Sequence, residues 1–174
     1  MNLPSDYALE LPSADALVIQ LATAIKPTLT ANTVLVGMHT GGVWAAEHLQ
    51  PLLDATMPHG SLDISFYRDD FESIGLHAQV KPTRLPFEVE GRDILLVDDV
   101  LYTGRSVRAA MNALFDYGRP ARIRLAVLID RVGDRQLPIA ADFVGAALSV
   151  PAHQHIHLVR DADMNLGLKL VDLK

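Results

Sequence analysis

The sequence contains no cysteine. That excludes disulfides and thiolate chemistry and says little else. No apolar run approaches the roughly 18 residues that a membrane-spanning helix needs, so no membrane partner is expected. There is no basic surplus either. The net charge is −6, which argues against broad contact with nucleic-acid phosphates but leaves a local basic patch open. The opening residues, MNLPSDYALELPSADA, are acidic and lack a basic stretch followed by an apolar one. No signal peptide is expected from them, and a cytoplasmic protein is the default. Internal repeats, linkers and low-complexity segments are also missing.

What is present is a chain of 174 residues, 49% of them hydrophobic. This suits a single domain over residues 1–174 with a sizeable core. Ser13 is placed to cap a helix, with Asp15 in its first turn. Leu17, Leu21, Ile25 and Leu29 follow at helical spacing, and Pro27 ends or kinks that helix. TVLVG (33–37) reads as a buried strand, HTGG as a turn, and VWAAEHLQPLL (43–53) as a helix. LDISFY (62–67) reads as a strand, followed by a polar stretch from Arg68 to Lys81 that is long for a connection. DILLV (93–97) is the clearest strand. Residues 104–117 form a helix with Val107, Ala110, Met111 and Leu114 on one face, and Gly118 stops it. IRLAVLI (123–129) is another buried strand, and DFVG, IHLV and LKLVDL are shorter ones. Strands that alternate with helices and are apolar on both faces belong to an α/β fold with a mostly parallel sheet flanked by helices.

In such sheets ligands bind beyond the carboxyl ends of the strands. ILLVDDVLYTGRS (94–106) places Asp98 and Asp99 at such an end. The run then passes directly into a helix, whose first N–H groups and dipole favour an anion. Thr103 and Ser106 add hydroxyls, and Gly104 lets the backbone curl close to a ligand. This is a phosphate cradle, though without the Gly-Lys-Ser/Thr of a P-loop. Carboxylates next to a phosphate cradle call for a ligand with phosphate at one end and hydroxyls, or developing positive charge, nearby. A 5-phosphorylated ribose fits. A pair of aspartates taken alone is equally well a solvated acidic turn; the specificity lies in the whole run.

That run resembles the 5-phosphoribosyl 1-diphosphate signature of the type I phosphoribosyltransferases. LVGMHTGGVWAAEHL, LDISFYRDDF, RLPFEVEGRDILLVDDVLYTGRSVRAAMNAL, GRPARIRLAVLIDR and RQLPIAADFVG occur in the same order in one branch of that family. This branch is that of the pyrimidine operon regulators and uracil phosphoribosyltransferases, the PyrR type. The likeness covers roughly residues 30 to 147. It implies a type I phosphoribosyltransferase fold with a flexible lid loop. The implied reaction joins uracil to phosphoribosyl diphosphate, giving UMP and diphosphate, with Mg²⁺ as cofactor.

Carried over residue by residue, the resemblance assigns Asp98 and Asp99 to the ribose hydroxyls and, mainly through water, to the metal. The cradle of Val100, Leu101, Tyr102, Thr103, Gly104, Arg105 and Ser106 would hold the 5-phosphate. Thr40, Gly41 and Gly42 correspond to the diphosphate turn, where a backbone of unusual conformation presents its amides. Arg68 would reach the diphosphate as a catalytic residue, and residues 69–81 would form the lid that excludes water. Asp130 and Arg131 would lie near the base or the diphosphate. The bland alternatives are a surface Arg68 paired with Asp69 or Asp70, an ordinary two-glycine turn, a Tyr102 that packs, and a solvent-facing Arg105. His153, His155 and His157 share one face if they lie on a strand. An exposed edge or subunit contact is favoured there over zinc. Trp44 is expected in the core.

Three features depart from the family pattern. The diphosphate turn usually reads Thr-Arg-Gly and here has Gly41 in the arginine's place. The base-side loop, DRVGDRQLP (130–138), is longer and more acidic than usual. The first helix carries Lys26 as its only basic residue, whereas regulators of the family bind leader mRNA through basic residues there. The second reading, a UMP-sensing regulator that binds leader mRNA with little or no turnover, therefore lacks its basic face. Transfer to another base is a third. The resemblance also implies a homo-oligomer, for which the apolar 43–53 helix has room.

Overall fold

Thr33–Met38 and Asp93–Leu101 are runs of small and branched apolar residues with almost every side chain buried. Runs of this kind become interior parallel strands. In the computed structural model, which describes residues 9–65, 82–133 and 135–173, they are β1 and β3 of a five-stranded sheet. Its other strands are β2 (His59–Leu62), β4 (Arg122–Arg131) and β5 (Phe143–Leu148). The order is β2-β1-β3-β4-β5, and every pairing is parallel. A separate antiparallel hairpin joins β6 (Gln154–Arg160) to β7 (Leu166–Asp172). No helix among the described residues is long and apolar enough to cross a membrane.

The helices are α1 (Ala14–Ile25), α2 (Gly41–Leu53) and α3 (Arg105–Asp116). Ser13 Oγ accepts from the Ala16 N–H at 3.3 Å, as its position predicts; such a cap stabilises a helix by about 1 kcal/mol. Leu17, Leu21 and Ile25 are buried, and a 3-10 turn at Lys26–Thr28 containing Pro27 ends the run, so that Leu29 lies beyond the helix. The sheet has a core on each side. One joins α1, α2 and the inner face of the hairpin to Leu95 and Val97. The other joins α3 to Ile94 and Leu96. The apolar side of α2, Ala45, Ala46, Leu49 and Leu53, is spent on the first core, leaving Leu52 exposed.

Of the strand expected over 62–67, residues 66 and 67 lie outside the described residues, and the strand found there is 59–62. HGSL has no apolar alternation to betray it; it is held by register with β1, from Leu35 opposite His59 to Met38 opposite Leu62. The Asp63 carboxylate then accepts from the Ser65 N–H at 2.9 Å and its hydroxyl at 2.6 Å, which turns the chain out of the sheet. Ser61 and Arg84 exchange two backbone bonds of 2.8 Å, so the chain returns beside the point where it left. Arg68 and the proposed lid, 69–81, lie outside the described residues.

The opposite end of the sheet carries a buried ionic cluster. Asp93, at the start of β3, accepts from Arg122 at 2.8 and 3.1 Å and from Arg124 at 3.0 and 3.4 Å. The Thr33 hydroxyl donates to it at 3.2 Å, and Arg124 also donates to Thr28 Oγ1 at 2.6 Å. Burial pushes the Asp93 carboxyl up, but the bonds from Arg122 and Arg124 outweigh it and hold the group below the usual carboxylate range.

Candidate active site

The carboxyl end of β3 meets the N-termini of α2 and α3. The strand continues through both aspartates to Leu101, beyond the boundary expected at residue 97. Asp99 lies against the start of α2, with its Oδ2 2.3 Å from where a Cβ of Gly41 would be. Asp98 is buried and Asp99 half-buried. Each carboxylate accepts from the next backbone N–H, Asp98 from Asp99 and Asp99 from Val100, both at 3.0 Å. These local bonds use one oxygen of each group.

Three glycines seat the Thr40–Gly42 turn against this end. A Cβ on Gly37 would lie 2.6 Å from Val43 Cα, and one on Gly42 would lie 2.3 Å from the Val97 carbonyl oxygen. Both obstructions are backbone, so neither position admits a side chain. A Cβ on Gly41 would instead lie 2.3 Å from Asp99 Oδ2. The His39–Thr40 peptide is cis, and the His39 N–H donates to the Leu62 carbonyl at 3.0 Å. Thr40 is the N-cap of α2 but offers no side-chain cap bond, and the first turn contains no acidic residue. The backbone N–H groups of that turn and the positive dipole end therefore face the site without an acidic partner from their own helix.

The second cradle begins at Gly104, whose φ of 92° is one that other residues rarely adopt. Its carbonyl accepts from the Arg108 N–H at 3.0 Å, starting α3. Thr103 Oγ1 accepts from the Arg105 N–H at 3.3 Å. Ser106 is half-buried in the first turn, and Arg105 is exposed with its Nε donating to Gln136 Oε1 at 2.9 Å. Leu101 is buried beneath the loop, and Val100 packs partly against the α1–α2 core.

The loop expected to read the base braces this cradle from behind. The Thr103 carbonyl accepts from Gln136 at 3.0 Å and Leu137 at 3.1 Å. Arg135 donates to the Tyr102 carbonyl and to Asp130 Oδ1. A Cβ on Gly104 would lie 3.2 Å from Ile139. Asp130 is thus engaged with Arg135 of its own loop. The sequence reading missed Arg135; its only signal was an arginine one residue before the QLP of that loop.

Arg131, expected near the base or the diphosphate, has its side chain held by neighbouring backbone. It is only 2% exposed. Its guanidinium donates to the carbonyls of Gln154 at 2.8 Å, Val150 at 3.3 Å and Pro151 at 3.2 Å. Its Cζ lies 4.1 Å from the Tyr102 ring centroid, so Tyr102 packs over it by cation–π contact. The pair ties β4 and the cradle to the start of the hairpin. Trp44, expected in the core, is half-buried with Arg160 4.8 Å from its ring centroid, while Arg160 also pairs with Glu47 at 2.7 Å.

The three histidines separate. His155 and His157 are on β6, and His153 precedes it. His155 meets the Tyr102 ring at 5.9 Å and the His157 ring at 6.3 Å, both edge-on. Burial pushes the His155 imidazole below its ordinary value, and the charges of Arg131 and His157 push the same way. Among the described residues no group of three or more His, Cys, Asp or Glu is arranged to hold a metal ion.

Comparison with known proteins agrees with this geometry. The phosphoribosyl transferase domain family matches residues 10–160. The chain is 46% identical to "Bifunctional protein PyrR" of Nitrosococcus oceani, over 99% of this chain and 98% of that one. It is also 46% identical to the protein of that name from Pseudomonas fluorescens, over 92% and 98%. Among solved structures, a hypoxanthine phosphoribosyltransferase from Staphylococcus aureus shares the fold at a TM-score of 0.64 and 19% identity, over 86% of this chain and 84% of that one. A hypoxanthine-guanine phosphoribosyltransferase from Bacillus anthracis does so at 0.64 and 20%, over 79% and 82%. Parallel sheet, twin helix N-termini, paired carboxylates and near full-length relatives place the chain in the phosphoribosyltransferase family, in the branch of the PyrR proteins.

Proposed function

We propose that the protein transfers the phosphoribosyl group of phosphoribosyl diphosphate to uracil, giving UMP and diphosphate. The observation that carries this reading is the meeting of two anion-binding helix N-termini, at Gly41 and Gly104, on either side of Asp98 and Asp99. Two anionic ends and a ribose between them match that arrangement. The near full-length relatives named PyrR support uracil as the base.

In this reading the amides of 101–106 and the hydroxyls of Thr103 and Ser106 hold the 5-phosphate. The turn at Thr40, Gly41 and Gly42 holds the diphosphate through backbone N–H groups. Asp98 and Asp99 accept from the ribose hydroxyls and favour the positive charge that develops on the ribose as diphosphate leaves. Fixing both anionic ends places the sugar for attack by the base nitrogen. Asp130 and Arg131 act indirectly, by holding the cradle loop and the hairpin.

The donor set fits Mg²⁺. Two carboxylates at one strand end, with no cage of three or more ligating side chains among the described residues, suit an ion that keeps its waters and is shared with substrate phosphates. Asp98 and Asp99 would hold it mainly through water, and it would neutralise charge on the departing diphosphate. A cytoplasmic location and a homo-oligomer suit these substrates and the family. The test is product formation from labelled uracil and phosphoribosyl diphosphate with Mg²⁺. UMP is expected, and turnover of hypoxanthine but not uracil would overturn the assignment of the base.

A second reading keeps the site as a UMP sensor and adds binding of leader mRNA; the relatives' designation as bifunctional is compatible with it. The described face of α1 argues against that surface lying where regulators carry it, since it exposes Asp15, Ile19, Gln20, Thr23 and Ala24, with Lys26 following. RNA phosphate contacts need clustered Lys or Arg. A gel shift at near-physiological salt should show no preference for pyrimidine leader RNA over an unrelated RNA of equal length. A UMP-enhanced preference of about tenfold or more, worth about 1.4 kcal/mol, would make regulation the primary function.

A further inference from the structure

A phosphate cradle built of backbone works only if its peptides turn their N–H groups, and not their carbonyls, toward the anion. Gly104 supplies the bend, at a φ of 92°, but has no side chain to restrict how the peptides beside it turn. The loop behind the cradle supplies that restriction. Arg135 donates to the Tyr102 carbonyl. The N–H groups of Gln136 and Leu137 donate to the Thr103 carbonyl at 3.0 and 3.1 Å, which occupies both of its lone pairs. Both peptides are trans, and a planar trans peptide holds its carbonyl and its N–H on opposite sides. The N–H groups of Thr103 and Gly104 share these two peptides, so they point away from residues 135–137. Arg135 is itself held by the Asp130 carboxylate at the end of β4. Ile139 and Leu137 close against Gly104, 3.2 and 3.5 Å from where its Cβ would be.

We propose that Arg135 is a positioning residue for the 5-phosphate, fixing the Tyr102–Thr103 peptide so that its N–H and not its carbonyl meets the anion. The proposal rests on the reading of residues 101–106 as the 5-phosphate cradle. Without this grip the peptide is free to turn over, which exchanges a donor for a carbonyl dipole of the wrong sign. A guanidinium suits the task because its planar fork reaches a carbonyl and a carboxylate at once, whereas a lysine ammonium is a point charge without that fork. The peptide is set before the ligand arrives, so binding does not have to order it. Arg135 acts through the backbone of Tyr102 and not by touching substrate.

Titration with UMP, followed by calorimetry and by proton–nitrogen amide spectra, tests this on the wild type, Arg135→Gln and Arg135→Lys. In the wild type, saturating UMP should move the Thr103 and Gly104 amide protons downfield, as hydrogen bonds to phosphate do. Arg135→Gln should bind UMP about tenfold or more weakly, the scale of one hydrogen bond to a charged group, and its Thr103 shift at saturation should shrink. Arg135→Lys keeps the charge and loses the fork, so it should bind no better than Arg135→Gln; it also serves alone if the glutamine variant does not fold. UMP affinity within twofold of wild type in Arg135→Gln, restored affinity in Arg135→Lys, or an undiminished Thr103 shift in the variants overturns the proposal. So does a wild type that binds UMP without moving these two amides, and each of these results leaves the proposed function standing. Failure of the wild type to bind UMP at all removes the cradle from the site and overturns both.

Discussion

Replacing Asp93 by Asn should destabilise the fold without touching the chemistry. Asp93 and Arg124 have side chains only 8% and 7% exposed, whereas Arg122 is 54% exposed. The consequence is therefore set by Arg124. Removing the carboxylate leaves its guanidinium buried without a counter-charge, and breaking a buried pair in this way costs about 3–5 kcal/mol. The lower end applies, because the amide oxygen still accepts and Thr28 still takes one N–H. Arg122 adds little, being largely in water. About 3 kcal/mol in a domain of this size corresponds to a fall in Tm of roughly 6–12 °C. Linkage gives a second signature. The folded-state pKa of Asp93 is depressed, so its contribution is fully present above the unfolded value of about 3.9 and is lost as pH falls through the folded value. Wild-type stability should drop through that acid window, and the variant should show a flatter slope there. Asp93 lies five residues from Asp98 along β3, about 16 Å at 3.3 Å per residue, so kcat and KM should stay within about twofold. The assay is urea denaturation from pH 3 to 7 alongside initial rates. A loss under about 1 kcal/mol at pH 7, or a large fall in kcat in folded protein, would refute the reasoning.

Asp99→Asn should lower turnover about 10²-fold or more with the fold intact, by analogy with loss of one preorganised polar group; initial rates within twofold of wild type would undo the ribose assignment. Gly104→Val should weaken UMP binding, because a φ of 92° strains any branched residue and Ile139 stands 3.2 Å from the added Cβ. Unchanged UMP affinity in a calorimetric titration would remove that loop from the site. His155 is held neutral, so its contribution is complete above the unfolded value of about 6.5 and is lost as pH falls below it toward the depressed folded value. Thermal melts of wild type and His155→Gln should diverge in slope just below pH 6.5, and parallel profiles would show that the ring does not titrate differently on folding.

The sequence made the central strands and the cradle legible because their physics is local. A run such as ILLV has few alternatives to an interior strand, and Thr103-Gly104 before an amphipathic helix has few alternatives to a helix start. β2 was misplaced because His59-Gly60-Ser61-Leu62 owes its pairing to β1 rather than to its own pattern. The partners of Arg131 were not legible, because the carbonyls of Val150, Pro151 and Gln154 that it meets lie about twenty residues later. The pairing of Asp130 with Arg135 was likewise not legible in the sequence. Arg122 and Arg124, alternating in RIRL, were a visible sign of a charge facing one side of a strand. Their partner Asp93 is 29 and 31 residues away, which no local pattern reveals.

Gly37 of β1 and the two glycines that open α2 differ in what opposes them. Residues 37 and 42 face backbone atoms of the α2 start and of β3, which cannot step aside without dismantling the sheet. Residue 41 faces a side chain, which can rotate if the turn shifts slightly. Substitution is therefore unequal across them: two positions are closed by backbone, and the third admits a side chain at the cost of repositioning a carboxylate. Any side chain introduced at residue 41 is thus coupled to the position of the residue 99 carboxylate.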